Sequence, residues 1–324
     1  MESQTKIYVC APAGVATGGP ELLHQLADKL RNMGKNVLMY YYPTHHSKPV
    51  HDNYLEYHLK ISNIIEDDIN NLVIVPEVET AILKNLIFIK KMVWWLSVDN
   101  YFLSLPKFKG TINRYLLKFF GTQDYFFFDK ELKLIEKHLV QSHYAKTFLS
   151  KYKIEATDLS DFLHKSFIDE NFSNESKKNI VAYNPNKGII FTKKIIESAP
   201  HIKFIPIKNM TRHQVVSLLK TAKVYIDFGH HPGKDRIPRE ASYLNCCVIT
   251  NRKGSAFYQN DLPIKEEFKF NENKSSLKKI VLKIEDCFEN YQENNQKFNF
   301  HREKIKNEES IFESQVNLIF NLKR

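Results

Sequence analysis

Short apolar stretches rich in Val, Ile and Tyr recur along this chain with amphipathic segments between them, and they do so in two separate series. Lys6-Ile-Tyr-Val-Cys-Ala11 opens the first. After Gly19, the residues Leu22, Leu23, Leu26, Ala27, Leu30 and Met33 fall on one helical face, which Gly34 ends. Val37-Leu-Met-Tyr-Tyr-Tyr42, Leu72-Val-Ile-Val-Pro76, Met92-Val-Trp-Trp-Leu-Ser97 and Leu139-Val-Gln-Ser142 read as the following strands. Strands that alternate with helices in this way are connected most economically by crossovers that leave every strand parallel.

From about Ile154 to Lys178 the periodicity weakens and Asp, Ser, Asn and Lys dominate, which reads as a linker. A second series follows in Asn179-Ile-Val-Ala-Tyr183, Ile202-Lys-Phe-Ile-Pro206, Val224-Tyr-Ile-Asp227 and Cys247-Val-Ile-Thr250. Thr211 is placed to cap a helix carrying Val215, Val216, Leu218, Leu219 and Ala222. Beyond Ser275 the pattern is helical, and a last apolar stripe through Phe312, Val316, Ile319 and Phe320 is expected to return to the first domain. A chain of 324 residues suits two domains of roughly 150 residues each. The expected division is residues 1–160 with a C-terminal helix over about 303–324, and residues 161–302.

The formal charge of +10 admits nucleic acid, anionic lipid or a phosphorylated small ligand as partner. Lys and Arg are scattered among Asp and Glu, and there is no basic tail or aromatic RNA-binding motif, so no nucleic-acid partner is expected. Met-Glu-Ser-Gln-Thr-Lys at the start lacks the regions of a signal peptide, and the apolar run from Asn85 is broken by Lys90-Lys91. Cys10, Cys246, Cys247 and Cys287 show no C-x-x-C spacing. A reducing cytoplasm is the expected setting.

The segment richest in chemistry is Asp227-Phe-Gly-His-His-Pro-Gly-Lys-Asp-Arg-Ile-Pro-Arg-Glu240-Ala. It reads as a strand end, a charged loop and a helix opening at Pro238 or Arg239, placed at the carboxyl edge of a sheet where open α/β proteins bind ligands. Lys234, Arg236 and Arg239 repel one another unless water or an anion intervenes, and a phosphate would relieve that cost. Glu240 is either a first-turn carboxylate favoured by the helix dipole or an acceptor for a ribose diol. The adjacent His230 and His231 point in different directions from a strand end and have no suitably spaced partner. One of them is therefore expected on a phosphate or sugar hydroxyl, and no metal site is expected.

Four further places carry weaker signals. Gly18 and Gly19 form either a loop with positive φ or a contact to phosphate or acceptor. Asn184 and Lys187 end a strand beside Gly188, so Lys187 reads as a solvated loop lysine or a phosphate contact. Asp99, after Trp94-Trp-Leu-Ser-Val, is a turn cap or a general base, with Glu77 and Glu79 behind it. The segment Leu105 to Phe120 interleaves cations with aromatics and suits either a solvated helix over a core or contact with anionic lipid.

Taken together, Gly18-Gly-Pro-Glu through Gly34, Asn184-Pro-Asn-Lys187-Gly188, and Pro232 through Ala241 with the strand behind it resemble, in that order, the motifs of GT-B-fold bacterial glycosyltransferases of the capsule and lipopolysaccharide type. The resemblance covers nearly the whole chain. It implies two Rossmann-like doubly wound domains facing across a cleft, with an N-terminal acceptor domain and a C-terminal nucleotide-sugar donor domain. Lys187 matches the lysine that approaches the donor diphosphate, and Glu240 matches the second glutamate of the E-x7-E segment of the retaining branch. The first glutamate falls on Pro232, which leaves its sugar contact to His230, His231 or Asp235.

The function implied is transfer of a sugar from a nucleotide-diphosphate sugar to a glycan or lipid-linked acceptor in bacterial surface polysaccharide synthesis. Asp99 and His231 are the catalytic candidates. Gly18, Gly19, Asn184, Lys187, His230, Lys234, Arg236 and Glu240 are the ligand-binding ones. Neither a metal nor a cofactor is expected, the nucleotide sugar being a substrate. The expected location is cytoplasmic, with peripheral contact at the inner face of an anionic membrane as an extension. The rival readings are a non-catalytic nucleotide-binding or scaffold subunit and a GT-B-fold phosphotransferase or epimerase.

Overall fold

A computed structural model describes residues 5–104, 135–168 and 177–321. The interleaved segment Leu105 to Phe120 lies outside the described residues. The chain forms two compact units, Met1–Asp161 with Phe312–Arg324, and Phe162–Ile311.

In the first unit the strands β1 (Lys6–Pro12), β2 (Asn36–Tyr42), β3 (Leu72–Pro76), β4 (Lys90–Trp95), β5 (Lys137–Val140) and β6 (Ala156–Asp158) form one sheet in the order β2-β1-β3-β4-β5-β6. Every pair is parallel. The middle strands are apolar on both faces, as a sheet covered on both sides requires, and Val73, Ile74, Val75, Val93, Trp94 and Trp95 are all buried. Helix α1 (Gly18–Asn32) buries Leu22, Leu23, Leu26, Ala27 and Leu30. Each of these leucines contributes about 1.5–3 kcal/mol when fully removed from water. Helices α2 (Val98–Ser104) and α3 (His143–Ser150) follow β4 and β5, and Ser142 caps α3 by accepting the amide of Ala145. The weakly periodic region read as a linker holds regular structure: β6 pairs with β5, and helix α4 (Lys165–Ile168) begins the second unit.

His24 sits inside the first unit on α1, stacked on Tyr54 with ring centroids 4.0 Å apart. Its Nδ1 lies 2.7 Å from the Pro20 carbonyl and its Nε2 2.8 Å from the Tyr41 hydroxyl. A carbonyl only accepts, so the network assigns the proton to Nδ1 and leaves Nε2 to accept from Tyr41. Burial holds this imidazole neutral and depresses its pKa to about 4. As pH falls from about 6.5 to about 4, the unfolded chain takes up a proton that the folded one refuses, so stability declines across that window and levels off below it. The expected loss is about 3 kcal/mol at most. Urea titrations at stepped pH check this, and His24→Phe should flatten the slope.

The second unit carries β7 (Lys178–Tyr183), β8 (Lys203–Pro206), β9 (Ala222–Asp227), β10 (Cys247–Asn251) and β11 (Lys269–Phe270), again all parallel, in the order β11-β10-β9-β7-β8. Helices α5 (Ile189–Ser198), α6 (Arg212–Thr221), α7 (Arg236–Tyr243) and α8 (Leu277–Glu289) enclose it. Thr211 caps α6 through a full capping box with Gln214. Two short helices, α9 (Tyr291–Gln296) and α10 (Asn299–Lys306), lead to α11 (Glu308–Phe320). The start of α11 counts with the second unit. From Phe312 onward it counts with the first, where Phe312, Val316, Ile319 and Phe320 are buried, Lys29 pairs with Glu313, and Gln315 accepts the Ser160 amide.

Candidate functional site

Numbered from its own first strand, the second sheet has the doubly wound order 2-1-3-4-5, and its strand order reverses between β7 and β9. Ligands of open parallel sheets bind outside the carboxyl ends of the strands at such a reversal. The loop after β7 carries Asn184 and Lys187. The loop after β9 carries His230, His231, Lys234 and Asp235, and α7 carries Arg236 and Glu240. Helix α7 opens at Arg236, two residues before the expected start. Pro238 is its third residue, still within the first turn, where a missing N–H costs nothing.

These loops lie backbone against backbone. Gly188, at φ 66°, precedes α5, and a Cβ there would overlap the Phe228 carbonyl. Gly254, at φ 54° in the loop after β10, meets the His231 carbonyl in the same way. Positive φ and the absence of a side chain are both required at these two positions. Ser255 donates its amide to His231 O at 2.8 Å, and Asn251 Nδ2 donates to Gly229 O at 2.6 Å, so three loops are held as one body.

At the centre is a closed polar quartet. Lys187 Nζ donates to Asp235 Oδ2 and to the His230 carbonyl, and lies 3.6 Å from Asp227 Oδ2. His231 Nδ1 is 2.7 Å from the same Asp235 oxygen, and its Nε2 is 3.9 Å from Asp227 Oδ1. Asp227 accepts in addition from the Tyr225 hydroxyl and the Gly229 amide. Burial disfavours the charged ring of His231, yet Asp227 and Asp235 outweigh it and raise its pKa. The same opposition, burial against the two carboxylates, leaves the pKa of Lys187 above its ordinary value. Burial alone would raise Asp235, but His231 and Lys187 hold it below the usual carboxylate range.

Among the described residues, Asp227, His231 and Asp235 form the group with metal-compatible spacing, their ligand atoms lying within 4.8 Å of one another. Lys187 already supplies positive charge to both carboxylates, so a divalent cation must displace it to bind there.

The other expected site residues are distributed as follows. His231 is buried at 1% exposure and belongs to the quartet, whereas His230 is exposed. The repulsion expected among Lys234, Arg236 and Arg239 is met from within the protein. Glu308 Oε1 lies 2.7 Å from Lys234 Nζ, and its Oε2 accepts from Arg239 Nη1 at 2.7 Å. Arg236, whose side chain is 27% exposed, reaches back to the buried Glu240 at 3.4 Å. Asn184 is buried and accepts the Asn186 amide, which shapes the loop that presents Lys187.

In the first unit, Gly18 and Gly19 form the first turn of α1 without positive φ, and no side chain caps that turn. They follow β1, and Glu77 follows β3, so both lie beside the point where that sheet reverses. Glu77 is buried, accepts the Leu96 amide at 2.8 Å, and is pushed up by burial to a pKa of about 8. Asp99 lies in α2 and accepts from the Tyr144 hydroxyl at 2.8 Å.

Sequence reasoning passed over Asp227, Tyr225 and Glu308. The first was legible in part, because Asp227, His231 and Asp235 recur every fourth residue. Nothing local marks Glu308, which meets Arg239 from 69 positions away.

Two doubly wound parallel-sheet units in one chain define the GT-B fold. No family model matches the sequence, and no curated protein does. Solved structures do. HepE of Anabaena, crystallised in complex with UDP-glucose, superposes with a TM-score of 0.66 at 11% identity, covering 98% of this chain and 100% of that one. Sucrose-phosphate synthase of Thermosynechococcus elongatus gives a TM-score of 0.66 at 11% identity over 98% of each chain. TarM, at 14% identity and a TM-score of 0.55, matches 79% of this chain, which spans 56% of TarM's length.

Proposed function

We propose that this chain is a nucleotide-sugar-dependent glycosyltransferase, with the donor's diphosphate held at the reversal point of the second sheet. The observation that carries this reading is the Lys187 ammonium, 25% exposed and fixed at that point, beside helices α5 and α7 whose first turns have no side-chain cap. First turns that no N-cap side chain occupies and a fixed cation together suit a phosphate. HepE, solved in complex with UDP-glucose and with UDP, supports a nucleotide sugar as the ligand.

In this reading Lys187 and Arg236 neutralise the charge that develops on the departing diphosphate, the main electrostatic demand of the reaction, without calling on a metal ion. Glu240 holds the ribose diol once Arg236 turns to phosphate. Gly18 and Gly19 receive the acceptor at the uncapped start of α1, and Asp99 is the base if the anomeric centre inverts. The acceptor is a glycan or lipid-linked glycan of the bacterial surface, built in the cytoplasm or at the inner face of its membrane. Among the described residues no helix is long and apolar enough to cross a membrane.

A thermal-shift panel of nucleoside diphosphates and their sugars tests the assignment. A ligand at 100 times its Kd adds roughly 2.7 kcal/mol of stability. The matching nucleotide sugar should shift the wild type, and Lys187→Ala should lose that shift. Donor turnover then separates the rivals: a scaffold subunit binds without turnover, an epimerase changes the sugar without acceptor, and a phosphotransferase releases nucleoside monophosphate.

A further inference from the structure

The residue at the N-cap of α7 is Asp235, a type favoured there because its carboxylate accepts first-turn amides. Here it makes no capping hydrogen bond. Its carboxylate turns instead to Lys187 Nζ and His231 Nδ1. The same diversion leaves the first turn of α7 without a bond from its N-cap side chain and keeps Lys187 paired.

We propose that Asp235 is a positioning residue that keeps Lys187 masked until a ligand carrying more charge than a single phosphate draws it away, so that the site selects nucleoside diphosphates over monophosphates. This deepens the nucleotide-sugar reading and rests on it. Lys187 Nζ faces both Asp227 and Asp235. When the ammonium leaves, these carboxylates lose the cation they share, and the site becomes more negative by one charge. A weakly charged ligand offers Lys187 little more than the carboxylate it abandons. A diphosphate offers a denser charge, and its second phosphate can reach the guanidinium of Arg236, one residue after Asp235. Asp235 thereby performs a task distinct from that of the glutamate replaced by Pro232. Its engaged oxygen serves the protein's own cations.

The test is Asp235→Asn, which keeps the size and the capping ability of the side chain and removes its charge. Calorimetric titration of wild type and variant uses the diphosphate and monophosphate of uridine, guanosine, thymidine and adenosine as probes. In the wild type the matching diphosphate is expected to bind at least 100-fold more tightly than its monophosphate. In Asp235→Asn the monophosphate should tighten, and the ratio should fall about tenfold or more. Lys187→Met provides a second route, in which diphosphate affinity drops to near that of the monophosphate. If a diphosphate binds and both variants keep the wild-type ratio, or lose both ligands equally, the masking role is overturned and the nucleotide reading stands. If no nucleotide of the panel binds the wild type, both fall.

Discussion

Glu308→Gln should lower the unfolding free energy by about 3–5 kcal/mol, the usual result of removing one partner from a buried ion pair. Arg239 is 1% exposed, and its three nitrogens are committed to Glu308, the Asp235 carbonyl and the Lys234 carbonyl. Glutamine keeps the shape and one acceptor but strands the guanidinium charge beside Lys234, which shares the same carboxylate. His301, buried nearby and depressed to about 3 by burial and by Arg239 and Lys234, offers no compensating charge. Urea denaturation of the full chain measures the effect. An unfolding midpoint within error of wild type would show that solvent reaches this pair. Replacing Arg239 as well, as Arg239→Met with Glu308→Gln, should recover part of the loss, because no uncompensated charge then remains on that side chain.

The second large effect is on catalysis. Lys187→Met should reduce sugar transfer by about 10²–10³-fold in kcat, the cost typical of removing one preorganised group that stabilises transition-state charge. This loss comes on top of the weakened donor binding, because charge on the diphosphate grows as the glycosidic bond breaks. Donor turnover in the presence of an accepted glycan is the measurement. A variant with unchanged kcat and a raised KM would reassign Lys187 to ground-state binding.

The alternation of apolar strands and amphipathic helices was legible because parallel strands covered on both faces must be apolar throughout, as Val73 to Val75 and Val224 to Ile226 are. Strand β6 escaped notice because it is an edge strand with little to bury, and Ala156-Thr-Asp158 carries no periodic signal. Helix α7 was placed late because Pro238 reads as a first residue, while the structure tolerates it as the third. For the site, the sequence identified the loop and its charges but not their pairing. Lys234 and Arg239 looked like cations awaiting a phosphate because their partner, Glu308, comes from a distant helix. The quartet was hidden for the same reason, since Lys187 reaches Asp235 from 48 positions away.

The interlocked loops also bear on how such a protein diversifies. With Gly188 seated on the Phe228 carbonyl and Gly254 on that of His231, lengthening the loop after β9 would unseat both of its neighbours, and lengthening either neighbour would unseat it. Change in what these loops bind is therefore confined to exchanging side chains on a fixed rim, and Ile190 and Phe257, exposed within three residues of those glycines, are positions where such drift costs the scaffold little.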